Sequence, residues 1–328
     1  MGRALVLGVN GQDGSYLAQA LLKRNDHVIG VGRQPDSRYV HDHPRFTYAA
    51  ADLADERQVE ALVRSIAPDR IYHFAAVHGP TGSGFCYEPV FAEMLRVNVT
   101  ALHVALEYAR TCNPGARIFY AGSSKVFPNP LAGQIDEATP TQVSCLYSLG
   151  KLAARDLMQV YHRDHDIQAT NLILFNHDSS RRPRDYLLPM IAHTIARAKV
   201  YPQHVLRVRT LDFWADWSAA DELMEIVADL GAAAFVPDVI LASGHAVYAR
   251  DVVAALFAGQ GLKAEDHIVE DLPTRSQATA GFQVRIDRLE RLARRPSKTV
   301  LDVINALIDA QPAVPGADGA TLPAECEA

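Results

Sequence analysis

Residues 5–17 read LVLGVNGQDGSYL, and they decide the fold: an apolar run suited to a β-strand passes through Gly8, Gly11 and Gly14 into a helical pattern. Glycine at such a junction permits a tight turn. It also lets backbone amides and the helix N-terminus approach a pyrophosphate, where the helix dipole favours negative charge. The rival reading is a tight turn with no ligand. Placement directly after an N-terminal strand and before a helix favours a dinucleotide phosphate loop made of Gly8, Gly11, Gln12, Asp13 and Gly14.

Outward from this loop the alternation continues. Strand-like runs HVIGVGR, RIYHFAAV, ARIFYAGSS and QATNLILF alternate with helical patterns near residues 15–25, 55–66, 87–111 and 147–164. Strands spaced by helices of that length predict an α/β fold, a Rossmann-type doubly wound parallel sheet covered on both faces. The second half is less regular. Helices are expected near residues 185–198, 219–230, 249–258 and 297–310, with short apolar runs such as DVILAS between them, as a smaller cap requires. Residues 311–328 are rich in Pro, Gly and Ala without periodicity and read as a disordered tail.

Composition narrows the function classes. Acidic residues number 38 against 32 basic, and no Lys/Arg block stands out, which argues against a nucleic-acid partner. The apolar run at residues 4–9 is too short for a signal segment or a membrane span, so a cytoplasmic protein with no membrane partner is expected. Cys86, Cys112, Cys145 and Cys326 are widely spaced and read as reduced thiols. His162 and His165 lack an acidic third ligand at useful spacing, so no metal site is expected.

The end of the second strand chooses the cofactor. An acidic residue there would bond the adenine ribose diol, whereas this chain carries Arg33 with Arg38 close behind, suited to a 2′-phosphate; NADP is therefore favoured over NAD. The same arginines also suit a solvated loop. Asp52 and Leu53 fit a contact with the adenine edge, although Asp52 equally fits a helix N-cap.

LYSLGK places Tyr147 and Lys151 four apart at the start of a helix, on one face. A nearby ammonium lowers the pKa of a phenol, and such a phenol can take the proton of an alcohol as hydride leaves its carbon. Ser123, at the end of a strand between the glycine loop and this pair, completes a catalytic set.

Five segments carry a family resemblance: GQDGSYL at 11–17, IYHFAA at 71–76, YSLGKLAA at 147–154, LILFNHDSSRRP at 172–183 and DWSAADELME at 216–225. The chain resembles the extended short-chain dehydrogenase/reductases of the NAD(P)-dependent epimerase/dehydratase family, and within it most the GDP-mannose 4,6-dehydratases. The resemblance implies a cofactor domain of residues 1–176 plus about 203–232 and a nucleotide-sugar domain of about 177–202 plus 233–310. It implies oxidation at C4 of a hexose on a nucleoside diphosphate, and a homodimer or homotetramer. Ser123, Tyr147 and Lys151 match its catalytic positions, and Tyr147 and Lys151 its cofactor contacts as well. Ala75 matches a cofactor contact, Asn176 the junction of cofactor and sugar, and Ser124, Arg182 and Arg275 substrate contacts; Arg181 and Arg182 lie in a stretch that contacts cofactor or nucleotide.

One position departs. Where the dehydratases resembled have Thr, Ser and Glu, this chain reads Ser123, Ser124, Lys125. Lys125 can serve as a base if its pKa falls about three units, roughly 4 kcal/mol. It can instead stay charged and hold an acidic group or an enolate oxygen, or turn away and pair with Asp136 or Glu137. Ala215 also replaces an Arg that in those enzymes precedes Asp-Trp. The outcomes left open are dehydration, epimerisation or simple oxidoreduction, and a non-catalytic NADP-binding sensor.

Overall fold

A computed structural model of the chain describes residues 2–77, 88–272 and 281–312. The glycine loop follows β1 (Arg3–Leu7) and opens α1 (Gln12–Lys23), with Gly11 as its N-cap. The chain continues through β2 (His27–Gly32), β3 (Phe46–Ala50), α2 (Glu56–Ile66) and β4 (Arg70–His73). Next come α3 (Glu88–Leu95), α4 (Ala101–Thr111), β5 (Arg117–Ala121), a short β6 (Gly133–Ile135), α5 (Leu146–His165) and β7 (Ala169–Leu174). After β8 (Asn176–Asp178), α6 (Leu187–Ala198), β9 (Leu206–Val208), β10 (Trp214–Ala219) and α7 (Ala220–Leu230) comes β11 (Asp238–Leu241).

Seven of these strands form one parallel sheet in the order β11-β7-β5-β4-β1-β2-β3. This is the Rossmann-type sheet expected. Strand β7 is buried at every residue because helices cover both faces, so its code is an apolar run with no polar alternation. The order reverses between β1 and β4, and the crevice beyond the carboxyl ends of the strands at that reversal is where such sheets take ligands. Gly8, Ala75 and Ser123 all lie just past these strand ends.

The smaller elements build a second layer beside it. Strand β12 (Ala246–Tyr248), β10 and β8 make a three-stranded sheet. Beyond it lie α8 (Ala249–Gly259), α9 (Ala264–His267), β13 (Ile268–Glu270) and α11 (Val300–Asp309), whereas β14 (Phe282–Val284), which pairs with β6, and α10 (Asp287–Leu292) return to the core of the large sheet beside β11. Leu188, Ile191, Trp217, Val253, Phe257 and Ile304 share one core in the second layer. The boundary drawn at residue 233 needs correction: β11 pairs with β7 and belongs to the large sheet, held by a bidentate Arg155–Asp238 ion pair at 2.9 Å for each bond. Likewise β9 pairs with β13 and β10 with β8 and β12, so from 203–232 only α7 joins the large layer, packed on α1. The tail from residue 313 lies outside the described residues.

Candidate active site

The glycine loop is built by close approach. Gly8 has φ +92°, and a Cβ there would lie 2.5 Å from the backbone nitrogen of Ala75, so no side chain fits between the loop and β4. This leaves an open cradle of backbone at the N-terminus of α1, which fits a pyrophosphate. Asn10 rivets the neighbouring loop to it. Its Nδ2 donates to Gln34 Oε1, to the carbonyl of Asp36 and to the Tyr48 hydroxyl, while its Oδ1 accepts from Arg38 N at 2.8 Å. Arg33 and Arg38 are thereby carried alongside the cradle. Both are exposed; Arg33 pairs with Glu93 at 3.0 Å, and the guanidinium of Arg38 lies 5.1 Å from the Tyr39 ring. Asp52 is exposed beyond β3 and Leu53 is buried, but the N-cap of α2 is Asp55, which removes the capping role considered for Asp52.

The two most distinctive segments of the sequence prove to be partners. His177 Nε2 lies 3.0 Å from both oxygens of Asp13, and its Nδ1 lies 2.7 Å from the carbonyl of Phe175. Both partners are acceptors, so both ring nitrogens must carry protons and the pair is imidazolium with carboxylate. Burial opposes these charges, but mutual attraction outweighs it: Asp13 is held down at about 2 and His177 is raised. Ser179 Oγ donates to Gln12 Oε1, and Arg181 donates to Ser15 Oγ and Gln19 Oε1 while stacking over Tyr16 and Tyr39. Arg181 is thus committed within its own chain. Arg182 pairs with Asp178 at 3.4 Å and lies over the Tyr186 ring at 3.7 Å. Asn176 is exposed at the start of β8, and Arg275 lies outside the described residues.

Ser123, Tyr147 and Lys151 come together as expected, with different electrostatics. The Ser123 hydroxyl acts on the Tyr147 phenol, pulling its pKa down against burial, and Lys151 Nζ stands 5.4 Å from the Tyr147 ring centre. Lys151 is 2% exposed and donates to the carbonyl of Ala121 at 2.7 Å and the Tyr120 hydroxyl at 3.2 Å. Burial alone lowers its amine to about 7. Burial likewise pushes the Tyr147 phenol upward, against the opposing pull of Ser123, where the sequence led to an expected lowering by an adjacent ammonium. Cys145 caps α5 through a reciprocal bond pair with Ser148, which accounts for a thiol two residues before the tyrosine.

Lys125 follows in a single 3₁₀ turn, Ser124–Val126. Its amide donates to Ser123 Oγ at 3.2 Å and its carbonyl accepts from Ser144 Oγ at 3.3 Å, while its side chain is exposed. The pairing considered with Asp136 or Glu137 does not form. Asp136 binds the Ala138 amide and the Thr139 hydroxyl, and the buried Glu137 carboxylate accepts from Ile240 N and faces Arg288. The turn is pinned from behind at Gly122, where a Cβ would collide with the Asn171 side-chain oxygen and lie 3.0 Å from the Leu172 carbonyl.

Sequence reasoning missed three residues behind the lysine. The Tyr120 hydroxyl donates to the carbonyl of Asn98 at 2.9 Å. Asn98 itself lies in a π-helical turn, Arg96–Thr100, and clamps both backbone groups of Val77 at 2.9 and 3.1 Å. His73 is fully buried with neither ring nitrogen bonded, and burial followed by repulsion from Lys151 holds it neutral, down at about 4. No Gly or Pro at 96–100 announces the turn. Among the described residues no group of three or more His, Cys, Asp or Glu is placed to hold a metal, and no helix is long and apolar enough to cross a membrane.

This geometry, a switch-point cradle with a Ser-Tyr-Lys set beyond the central strands, defines a short-chain dehydrogenase/reductase of the epimerase/dehydratase type. The GDP-mannose 4,6 dehydratase family profile matches residues 5–306, and the chain belongs to that family. GDP-mannose 4,6 dehydratase 2 of Caenorhabditis elegans is 25% identical over 315 residues, covering 90% of this chain and 82% of the relative. Two solved structures share the fold. dTDP-glucose 4,6-dehydratase from Bacillus anthracis str. Ames, in complex with NAD, has a TM-score of 0.77 at 15% identity over 94% of this chain and 96% of its own. RMD from Pseudomonas aeruginosa, complexed with NADPH, has a TM-score of 0.74 at 19% identity, over 94% and 98%.

Proposed function

We propose that this protein is an NADP-dependent enzyme that oxidises C4 of a nucleoside-diphosphate hexose and then returns hydride to the resulting ketone. The observation that carries the reading is the convergence of Ser123, Tyr147 and Lys151, with the serine hydroxyl acting on the Tyr147 phenol and Lys151 behind its ring. Gly8, Gly11, Gln12, Asp13 and Gly14 would hold the pyrophosphate, Arg33 and Arg38 the 2′-phosphate, Asp52, Leu53 and Ala75 the adenosine end, and Lys151 and Asn176 the nicotinamide end. The nicotinamide, when bound, supplies the hydride acceptor.

Ser123 orients the C4 hydroxyl toward Tyr147, whose phenolate form takes its proton as hydride departs. Burial keeps the phenol protonated, a state suited to the return leg, in which Tyr147 gives its proton to the C4 oxygen. Elimination asks for a further acid/base group beside C5 and C6. The slot after Ser124 holds Lys125, and the carboxylates of Asp136 and Glu137 are engaged elsewhere. That arrangement favours epimerisation or oxidoreduction over dehydration.

The test incubates the protein with a panel of nucleotide hexoses in deuterated water and follows products by NMR. Inversion at C4, or exchange without loss of oxygen, supports the proposal. Deuterium at C5 with loss of the C6 oxygen would replace it by dehydration. Unchanged sugars despite bound NADP would replace it by a cofactor-binding sensor.

A further inference from the structure

We infer that the hexose this site takes carries a carboxylate, a nucleoside-diphosphate hexuronate, and that the Lys125 side chain recognises it. The inference rests on the C4 chemistry proposed above and names the substrate class for the same site. Lys125 stands two residues past Ser123, with its amide bonded to the hydroxyl that meets Tyr147. A lysine stem four carbons long reaches about one sugar ring from that point. That length is enough to bring its end to a substituent next to the oxidised carbon.

Most of the charges near this lysine are engaged within the protein. Lys151 is buried and spends its donors on Ala121 and Tyr120. Arg182 faces Asp178, Arg181 is stacked and bonded to α1, and Arg288 faces Glu137. The nearby carboxylates of Asp136 and Glu137 accept bonds from Ala138, Thr139 and Ile240. Among the described residues the Lys125 side chain has no ion-pair partner, yet its main chain is fixed on both sides by Ser123 and Ser144. A pre-positioned cation without a protein anion is matched by an anion on the ligand. A hexuronate also has no C6 hydroxyl to expel, so a site built for one needs no acid to protonate a leaving group, in agreement with lysine where elimination would call for a carboxylic acid.

Two anions on such a substrate could meet this amine, the sugar carboxylate and the diphosphate. Matched probes separate them: GDP-mannose with GDP-mannuronate, UDP-glucose with UDP-glucuronate, and free GDP and UDP, each titrated by calorimetry against NADP-loaded protein and K125M. In at least one pair the hexuronate is expected to bind about tenfold or more tighter than the hexose, and K125M is expected to erase that preference. K125E should reverse its sign. Equal affinities within every pair that binds, or a K125M that loses free nucleoside diphosphate by the same factor, would overturn the carboxylate assignment. Reduction of NADP at 340 nm by hexoses without preference would leave the C4 chemistry standing and remove only this inference. Failure of every pair to bind would overturn both.

Discussion

His177 and Asp13 form an ion pair across the foot of the cofactor cradle, one ring nitrogen 3.0 Å from both carboxylate oxygens. The pair joins the first turn of α1 to β8, two segments far apart in sequence. Its strength has a defined pH window. Asp13 lies at about 2 against an ordinary 3.8, so its contribution is complete above pH 4 and fades as pH falls through 2. His177 is raised above 6.5, so its contribution is complete below that value and is lost as pH climbs through the raised one.

Asp13→Asn should therefore cost about 2 kcal/mol of unfolding free energy between roughly pH 4 and 6.5, and less on either side. Urea midpoints at pH 5 and pH 9 check this. An equal loss at both would show that the pair is not an imidazolium-carboxylate pair.

Lys151 carries the opposite sign. Its amine sits at about 7 in the folded chain against 10.5, so the unfolded chain binds more protons between these values and stability rises with pH across them. Lys151→Met should remove that slope, gaining on the native protein by on the order of 2–4 kcal/mol at pH 6.5 relative to pH 10. Parallel pH profiles of native and variant protein would contradict a buried, desolvated amine.

Tyr147→Phe should lower turnover by about 10²–10⁴-fold while cofactor affinity is retained. Because burial holds the phenol protonated, the oxidative half-reaction of the native enzyme should accelerate as pH rises into the alkaline range. Stopped-flow absorbance of the reduced cofactor reads both, and a flat profile with the native phenol would exclude Tyr147 as the base.

Gly8→Ala should cost at least about 2 kcal/mol in stability and abolish cofactor binding, since its φ of +92° and its contact with Ala75 both exclude a side chain. Gly133→Ala, where nothing lies within 4 Å but φ is +67°, serves as the comparison with backbone strain alone. Equal effects of the two would remove the role assigned to the close approach.

The parallel sheet was legible because strands buried on both faces are written as unbroken apolar runs between helical patterns. The glycine loop and the Tyr147–Lys151 pair were legible because their spacing is itself the signal. What stayed hidden depended on distant partners. Strands β8, β9 and β12 have three residues each and gain their form only from neighbours, and β11 reads alike whether it closes the large sheet or a small one. The π turn within the run at 87–111 carries Asn98, whose grip on Val77 is a contact across 21 positions. The Asp13–His177 pair joins two runs noticed separately, and nothing local in either points to the other.

Gly122 and Lys125, three positions apart, divide their labour completely. Behind Gly122 stands Asn171, which donates to Asp238, itself gripped by Arg155, so the backbone there has nowhere to yield. At Lys125 the fold relies only on the amide and the carbonyl, groups every residue but proline supplies. The side chain at 125 is thus exempt from the demands of folding. A lineage can exchange it without first having to repair the protein.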